Sequence, residues 1–277
     1  MRFVTTVGEM RRARAELPSP VAMIATLGGM HAGHEALLER AGAEGKSLVA
    51  SLFLNPTQFD DPSDLERYPA DREADLEIFR RHGVDVVFAP TVDEMYPDGA
   101  STTVDPGPVA TVLEGAHRAG HFKGVATIVT KILIVIRPDI AVWGAKDAQQ
   151  NVVIRRVARD LRMAVQHVVV PTVRAPDGLA LSSRNRHLSD VERAQATSLY
   201  EGLRRAVALW EDGQRDADVL KGVVTEALSQ RERVVPEYVS LADPESLAEL
   251  PEGRPGALLS LAARVGGIRL IDNVTLP

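Results

Sequence analysis

Met23-Ile-Ala-Thr-Leu-Gly-Gly-Met-His-Ala-Gly-His34 is the stretch that decides the fold of this 277-residue chain. An apolar, strand-like run stops at Gly28 and Gly29, and a His-x-Gly-His follows where a helix is expected to begin, near Gly33. Strand, tight turn and helix in that order are the unit from which parallel sheets with crossover helices are built. The glycines let the backbone approach a ligand closely. The helix start aims unpaired amides and a positive dipole end at any anion placed there. His31 and His34 add directed hydrogen bonds, and charge when protonated. On spacing alone two other readings stay open: histidines that only cap the helix, and two ligands of a metal completed by distant residues.

Working outward, short β-branched runs alternate with longer helical periods to about residue 172. Strands are expected at 21–26, 47–54, 84–89, 139–143 and 165–170, and helices near 33–43, 71–82, 120–136 and 147–161. After Pro171 the texture changes. Pro176-Asp-Gly178 signals a turn, Ser189-Asp-Val-Glu192 has the form of a capping box opening a helix to about 210, and a second helix covers 217–231. Runs at 235–242, 257–263 and 268–274 then follow without a long helix between them, which predicts a small antiparallel sheet. The expected architecture is α/β: a Rossmann-like parallel sheet with helices on both faces over 1–174, and a smaller C-terminal α+β lid domain over 175–277.

Composition narrows the function. With 45% apolar and 25% charged residues the chain is of the globular type. No apolar run approaches a membrane span, and the start lacks a secretory apolar region, so no membrane partner is expected. The absence of cysteine excludes disulfides and thiol catalysis and fits a cytoplasmic protein. A net charge of −6 disfavours a broad nucleic-acid surface.

Four further constellations fall at strand ends or on loops beside them. In Phe53-Leu-Asn-Pro-Thr-Gln-Phe59, Asn55 and Gln58 each donate and accept, so the pair suits the hydroxyl and carboxylate of a small hydroxy acid; a plain Asn-Pro turn is the alternative. Leu113-Glu-Gly-Ala-His-Arg-Ala-Gly-His-Phe-Lys-Gly124 gathers Glu114, His117, Arg118, His121 and Lys123 around three glycines before a helix, either a solvated loop or a second anion-receptive corner. Trp143-Gly-Ala-Lys-Asp-Ala-Gln-Gln150 offers Lys146 to phosphate oxygens, Asp147 to Mg²⁺ or to the helix as a cap, and Gln150 one turn further on. Leu181-Ser-Ser-Arg-Asn-Arg186 sets hydroxyls beside guanidiniums, a phosphate clamp or a basic hinge.

Taken together these segments resemble the pantothenate synthetase (pantoate–β-alanine ligase) family of the nucleotidyltransferase superfamily over most of residues 20–190. The resemblance is carried by His31-Ala-Gly-His34, Asn55-Pro-Thr-Gln-Phe59, Leu113-Glu-Gly with Arg118 and Gly120-His-Phe122, Gly144-Ala-Lys-Asp147 with Gln149-Gln150, and Asp177-Gly-Leu-Ala-Leu-Ser-Ser-Arg-Asn-Arg186. It implies a homodimeric enzyme that activates pantoate with ATP and Mg²⁺ to a pantoyl-adenylate, releases pyrophosphate, and transfers the pantoyl group to β-alanine, releasing AMP. It implies that Leu27, Gly28, Gly29, Met30, His31, Ala32, Gly33 and His34 bind ATP, with Gly144, Ala145, Lys146, Asp147, Val173, Leu181, Ser182, Ser183 and Arg184. His34 is then the general acid, and His31, Lys146 and Arg184 share the catalytic work. Gln58 and Gln150 hold pantoate, Gln58 also borders β-alanine, and Asn55 and Arg118 complete the substrate set. Asp75 is the expected carboxylate for Mg²⁺ arriving with ATP.

The chain departs from the family pattern at several points. Ala25-Thr-Leu-Gly28 stands for Pro-Thr-Met-Gly, Tyr68-Pro-Ala70 for Tyr-Pro-Arg, and Arg118-Ala-Gly-His-Phe122 for Arg-Pro-Gly-His-Phe. Trp143 replaces a smaller aromatic and Ala148 an aromatic, changes that would compensate in volume if the two side chains shared one space. The rival readings are another adenylyl-transferring enzyme with the same His-x-Gly-His turn, and a nucleotide-binding regulator without turnover.

Overall fold

The computed structural model describes residues 1–59, 65–68 and 71–277. The departure at Ala70 lies outside them. Residues 1–111, 115–145 and 153–171 form one compact unit, and 112–114, 146–152 and 172–277 form a second. Among the described residues no helix is long and apolar enough to cross a membrane.

The first unit is built on six parallel strands: β1 (Arg2–Val4), β2 (Val21–Thr26), β3 (Ser47–Leu52), β4 (Val86–Phe88), β5 (Ile140–Gly144) and β6 (Gln166–Val170). Their order in the sheet is β1-β4-β3-β2-β5-β6. The chain builds outward from β2 through β3 to β4, then returns to the other side of β2 for β5 and β6. β2 and β5 therefore flank the topological switch point, and an open parallel sheet binds its ligands beyond the carboxyl ends of the strands there. β2 ends at Thr26 and β5 at Gly144, so the glycine turn and the Gly144-Ala145 segment both lie at that end. The central strands are buried runs of Val, Ile, Ala and Leu, as two-sided burial requires. Ile24, Leu38, Ala50, Phe79, Val87, Val142 and Val168 form one continuous core cluster.

The helices Ala32–Glu44, Arg72–Arg81, His121–Ile136 and Ala148–Asp160 lie within a residue or two of expectation. Among the described elements that were not foreseen are β1 and the helix Val7–Glu16. A three-residue edge strand is too short to show a period. The helix did carry a signal, the Thr6-x-x-Glu9 capping box, in which each side chain takes the other's backbone N–H. Trp143 is housed by a hydrogen bond: its indole N–H donates to His167 Nδ1 at 3.0 Å.

The second unit is an antiparallel sheet of β7 (Val234–Ala242), β8 (Leu258–Val265) and β9 (Ile268–Thr275), in the order β7-β8-β9. The helices Ser198–Glu211 and Ala217–Ser229 bury Leu199, Leu203, Leu220, Val224 and Leu228 in one cluster with Leu259, Leu261 and Ala263 of β8. The helix expected from Ser189 to about 210 is two helices, Asp190–Ala196 and Ser198–Glu211. At the break the Thr197 hydroxyl donates to the Ala194 carbonyl at 2.8 Å, a local bond that competes with the helical ladder.

Candidate active site

The turn after β2 is held from below by one buried carboxylate. Gly28 and Gly29 have φ of 98° and 67°, a region open to glycine. Gly28 N–H donates to Thr26 Oγ1 at 3.1 Å, Gly29 N–H to Asp75 Oδ2 at 3.0 Å, and Met30 N–H to Asp75 Oδ1 at 2.8 Å. Asp75 is 2% exposed, so both its oxygens are committed to shaping the loop. His31 is the N-cap of the helix Ala32–Glu44: its Nδ1 accepts Gly33 N–H at 3.1 Å, and His34 Nδ1 accepts His31 N–H at 3.3 Å. A neutral imidazole that accepts at Nδ1 carries its proton on Nε2. The capping reading thus holds for both residues, and it leaves each neutral ring with its N–H on Nε2. The ring centroids are 4.2 Å apart.

After β3 the chain makes a short 3-10 turn, Pro56–Gln58, against the first turn of the helix His121–Ile136. Gln58 is gripped at both ends. Its backbone carbonyl accepts from His121 Nδ1 at 2.7 Å and from Arg118 Nη2 at 3.4 Å, and Arg118 Nη1 lies 3.1 Å from His121 Nε2. Its side-chain Oε1 accepts from Asn55 Nδ2 at 3.0 Å. Asn55 Oδ1 accepts from Tyr96 at 2.8 Å and Thr57 at 3.0 Å. Four of the expected residues, Asn55, Gln58, Arg118 and His121, are therefore joined in one network, and Tyr96 is the member that sequence reasoning missed. A lone tyrosine ahead of a Gly- and Pro-rich loop carried no signal.

Gly124 makes this network possible. A Cβ on it would lie 2.3 Å from Thr57 O and 2.9 Å from Gln58 N, so only glycine lets the helix backbone meet the turn. Gly124→Ala is expected to lower stability by about 2–3 kcal/mol through overpacking. An unchanged denaturant midpoint would show that the turn yields without cost.

Lys146, Asp147, Gln150, Val173 and Leu181–Arg184 belong to the second unit. Lys146 Nζ lies 3.4 Å from Asp147 Oδ1, and Asn273 Nδ2 donates to the Lys146 carbonyl at 2.8 Å. Val173 and Leu181 are brought together, Leu181 N–H donating to Val173 O at 3.0 Å beside the Arg174–Ala180 bridge. That hairpin is pinned by Arg174, which donates to Asp272 Oδ2 at 2.6 Å and Oδ1 at 2.9 Å. Ser182 caps the 3-10 turn Ser183–His187 through Arg184 N–H at 3.3 Å.

Glu114 belongs to the second unit. It is 6% exposed and takes two guanidinium contacts from Arg269 and the Tyr238 hydroxyl at 2.9 Å. Burial first, and then the Glu114 charge, push the Tyr238 phenol well above its ordinary value, so it stays a donor. Gln149 joins two short segments of this unit, accepting Glu114 N–H at 2.9 Å and donating to Val112 O at 2.8 Å.

Sheet, switch point and turn define the class: a doubly wound α/β protein with a glycine-and-histidine turn at the carboxyl end of a strand beside its switch point. The family model for pantoate-beta-alanine ligase matches residues 2–275. The chain belongs to that family. It is 50% identical to the pantothenate synthetase of Chloroflexus aggregans, with 99% of each chain covered. It is 43% identical to the solved pantothenate synthetase of Thermus thermophilus, covering 100% of this chain and 99% of that one, with a TM-score of 0.94. A third likeness, at 30% identity, 99% and 97% coverage and a TM-score of 0.82, is to the Francisella tularensis pantoate-beta-alanine ligase complexed with beta-gamma ATP and beta-alanine.

Proposed function

We propose that this chain is an ATP-dependent ligase that joins (R)-pantoate to β-alanine. Pantoate's carboxylate attacks the α-phosphorus of ATP, giving pantoyl-adenylate and pyrophosphate. The β-alanine amine then attacks the acyl carbon, forming pantothenate and expelling AMP. A free carboxylate resists amide formation because oxide is a poor leaving group, and adenylation replaces it with AMP. The first step brings two anions together, so donors and cations aimed at the growing charge are the main catalytic devices.

The observation that carries the reading is the turn at Gly28–His34. Its two imidazoles are locked by their own helix cap with protons on Nε2. His34 is proposed to donate to the α–β bridging oxygen as pyrophosphate leaves, and His31, Lys146 and Arg184 to balance the phosphate charge. Leu27 to Gly33, Gly144 to Asp147, Val173 and Leu181 to Ser183 line ATP in this reading, and Gln58 and Gln150 hold pantoate. The decisive experiment is pantoate-dependent ATP–pyrophosphate exchange, with AMP release on adding β-alanine. Exchange supported by another acid, or none at all, overturns the reading, and nucleotide binding without exchange marks a regulator.

Mg²⁺ is proposed to arrive on the triphosphate rather than in a protein cage. Among the described residues there is no group of three or more His, Asp or Glu side chains able to hold a metal, and Asp75 is committed to Gly29 and Met30. Asp75→Asn is expected to raise the ATP KM about tenfold, because one amide then faces a donor instead of an acceptor. The Mg²⁺ dependence stays where it was; a displaced Mg²⁺ titration with an unchanged ATP KM would instead make Asp75 a metal ligand. A cytoplasmic homodimer is proposed on the family resemblance, and light scattering on the purified protein tests the oligomeric state.

A further inference from the structure

A glutamine carboxamide has two sides of opposite chemistry, an oxygen that accepts and an NH₂ that donates. Which side Gln58 turns to its ligand decides whether that ligand's oxygens are attracted or repelled. The orientation is set by a chain of constraints that starts at the backbone. Gly124 O is a carbonyl and only accepts, so the Asn55 atom facing it at 3.5 Å is Nδ2. The same Nδ2 lies 3.0 Å from Gln58, so the Gln58 atom there is Oε1. Asn55 Oδ1 is thereby turned to the other side, where the Tyr96 hydroxyl donates at 2.8 Å. Asn55 is 1% exposed, so a reversed amide has no water to compensate it. The Tyr96 ring is itself fixed by the Lys131 ammonium, 4.2 Å from its centroid, while that ammonium donates to Met95 O. Burial raises the Tyr96 pKa and keeps the phenol a donor.

We infer that Tyr96 is a positioning residue for substrate recognition: through Asn55 it holds the Gln58 carboxamide with its NH₂ toward the ligand, selecting the oxygen acceptors of a hydroxy acid. Asn55 then serves as the buried link in this relay rather than as a substrate contact. Among the described residues Gln58 Nε2 has no protein partner, so its N–H groups are unspent on the fold. The inference rests on the reading of Gln58 as a holder of pantoate.

Steady-state kinetics of the full chain test it. Tyr96→Phe keeps the ring and removes the hydroxyl, and is expected to raise the pantoate KM about fivefold, the cost of one hydrogen bond, with the ATP KM unmoved. Asn55→Asp keeps the shape but has no proton to give Gln58 Oε1, and is expected to raise it about fiftyfold. Because Tyr96 acts through Gln58, adding Tyr96→Phe to Gln58→Ala should cost nothing further, a result that a merely structural tyrosine would not produce. Additive effects overturn the inference. So does an unchanged pantoate KM in Tyr96→Phe and Asn55→Asp while Gln58→Ala raises it. Gln58→Ala with a normal pantoate KM overturns the reading of Gln58 and the inference together.

Discussion

Replacing His34 with alanine is expected to lower kcat about a hundredfold, the range found when one donor aimed at developing charge is removed from an active site. The reason is geometric. His34 Nδ1 is occupied by the His31 amide, which leaves the proton on Nε2. Such a ring is delivered in its donor form without any adjustment as charge builds on the leaving oxygen, which is why the loss falls on kcat rather than on the ATP KM. The substitution also removes a helix cap, at a cost of about 1 kcal/mol that appears in a melting curve and not in the rate of the folded enzyme. His34→Gln keeps a hydrogen-bond donor on the side chain, so recovery of most of the rate assigns His34 to hydrogen bonding, and a variant as slow as alanine shows that the exact position of the imidazole Nε2–H is what the step requires. Unchanged exchange in His34→Ala removes the residue from the mechanism.

The second large effect lies away from the turn. Arg269→Ala is expected to destabilise the second unit by about 3–5 kcal/mol, because it strands a buried charge. Arg269 reaches Glu114 with both Nη atoms and Glu237 with Nε at 2.6 Å. The Glu114 side chain is only 8% exposed. Without the guanidinium, Glu114 keeps the Tyr238 hydroxyl but loses both Arg269 contacts, while Glu237 still has Arg264 at 2.8 Å. Neutralising both partners, Glu114→Gln with Arg269→Met, should recover much of the loss, since a buried pair costs most when only one half is removed. The two tryptophans allow a clean readout. Trp143 lies in the first unit and Trp210 in the core of the second, so in a Trp143→Phe background the remaining fluorescence follows the second unit alone. A denaturation midpoint unmoved by Arg269→Ala would show that water reaches Glu114 and compensates it.

Much of this was legible in the chain because the relevant signals are local. β-branched runs separated by helical periods named the parallel strands, and three runs without long helices named the antiparallel sheet. The turn at Gly28–His34 was legible as strand, glycine turn and capped helix, while its spacing alone left capping, anion and metal readings open. What escaped were elements and roles without a local signature. β1 is three residues long, below the reach of any period. Thr197 breaks a helix through one side-chain bond that the apolar pattern does not register. Glu114 looked like part of a charged, solvated loop, because nothing near it in sequence names Arg269 as its partner.

By itself the sequence determined the strand order along the chain from β2 onward, the sheet types, the glycine-and-histidine turn and the chemical inventory around it, since these follow from periodicity, capping and residue chemistry over a few positions. Only the tertiary structure decided what each polar group spends its bonds on. Asp75 is 45 residues from Met30, Tyr96 is 41 from Asn55, and Arg269 is 155 from Glu114. A buried hydrogen-bonding group must find a partner wherever the fold brings one. Distance along the chain says nothing about that partner, so folding assigns Asp75 to shaping a loop, Asn55 to turning a glutamine and Glu114 to anchoring a segment.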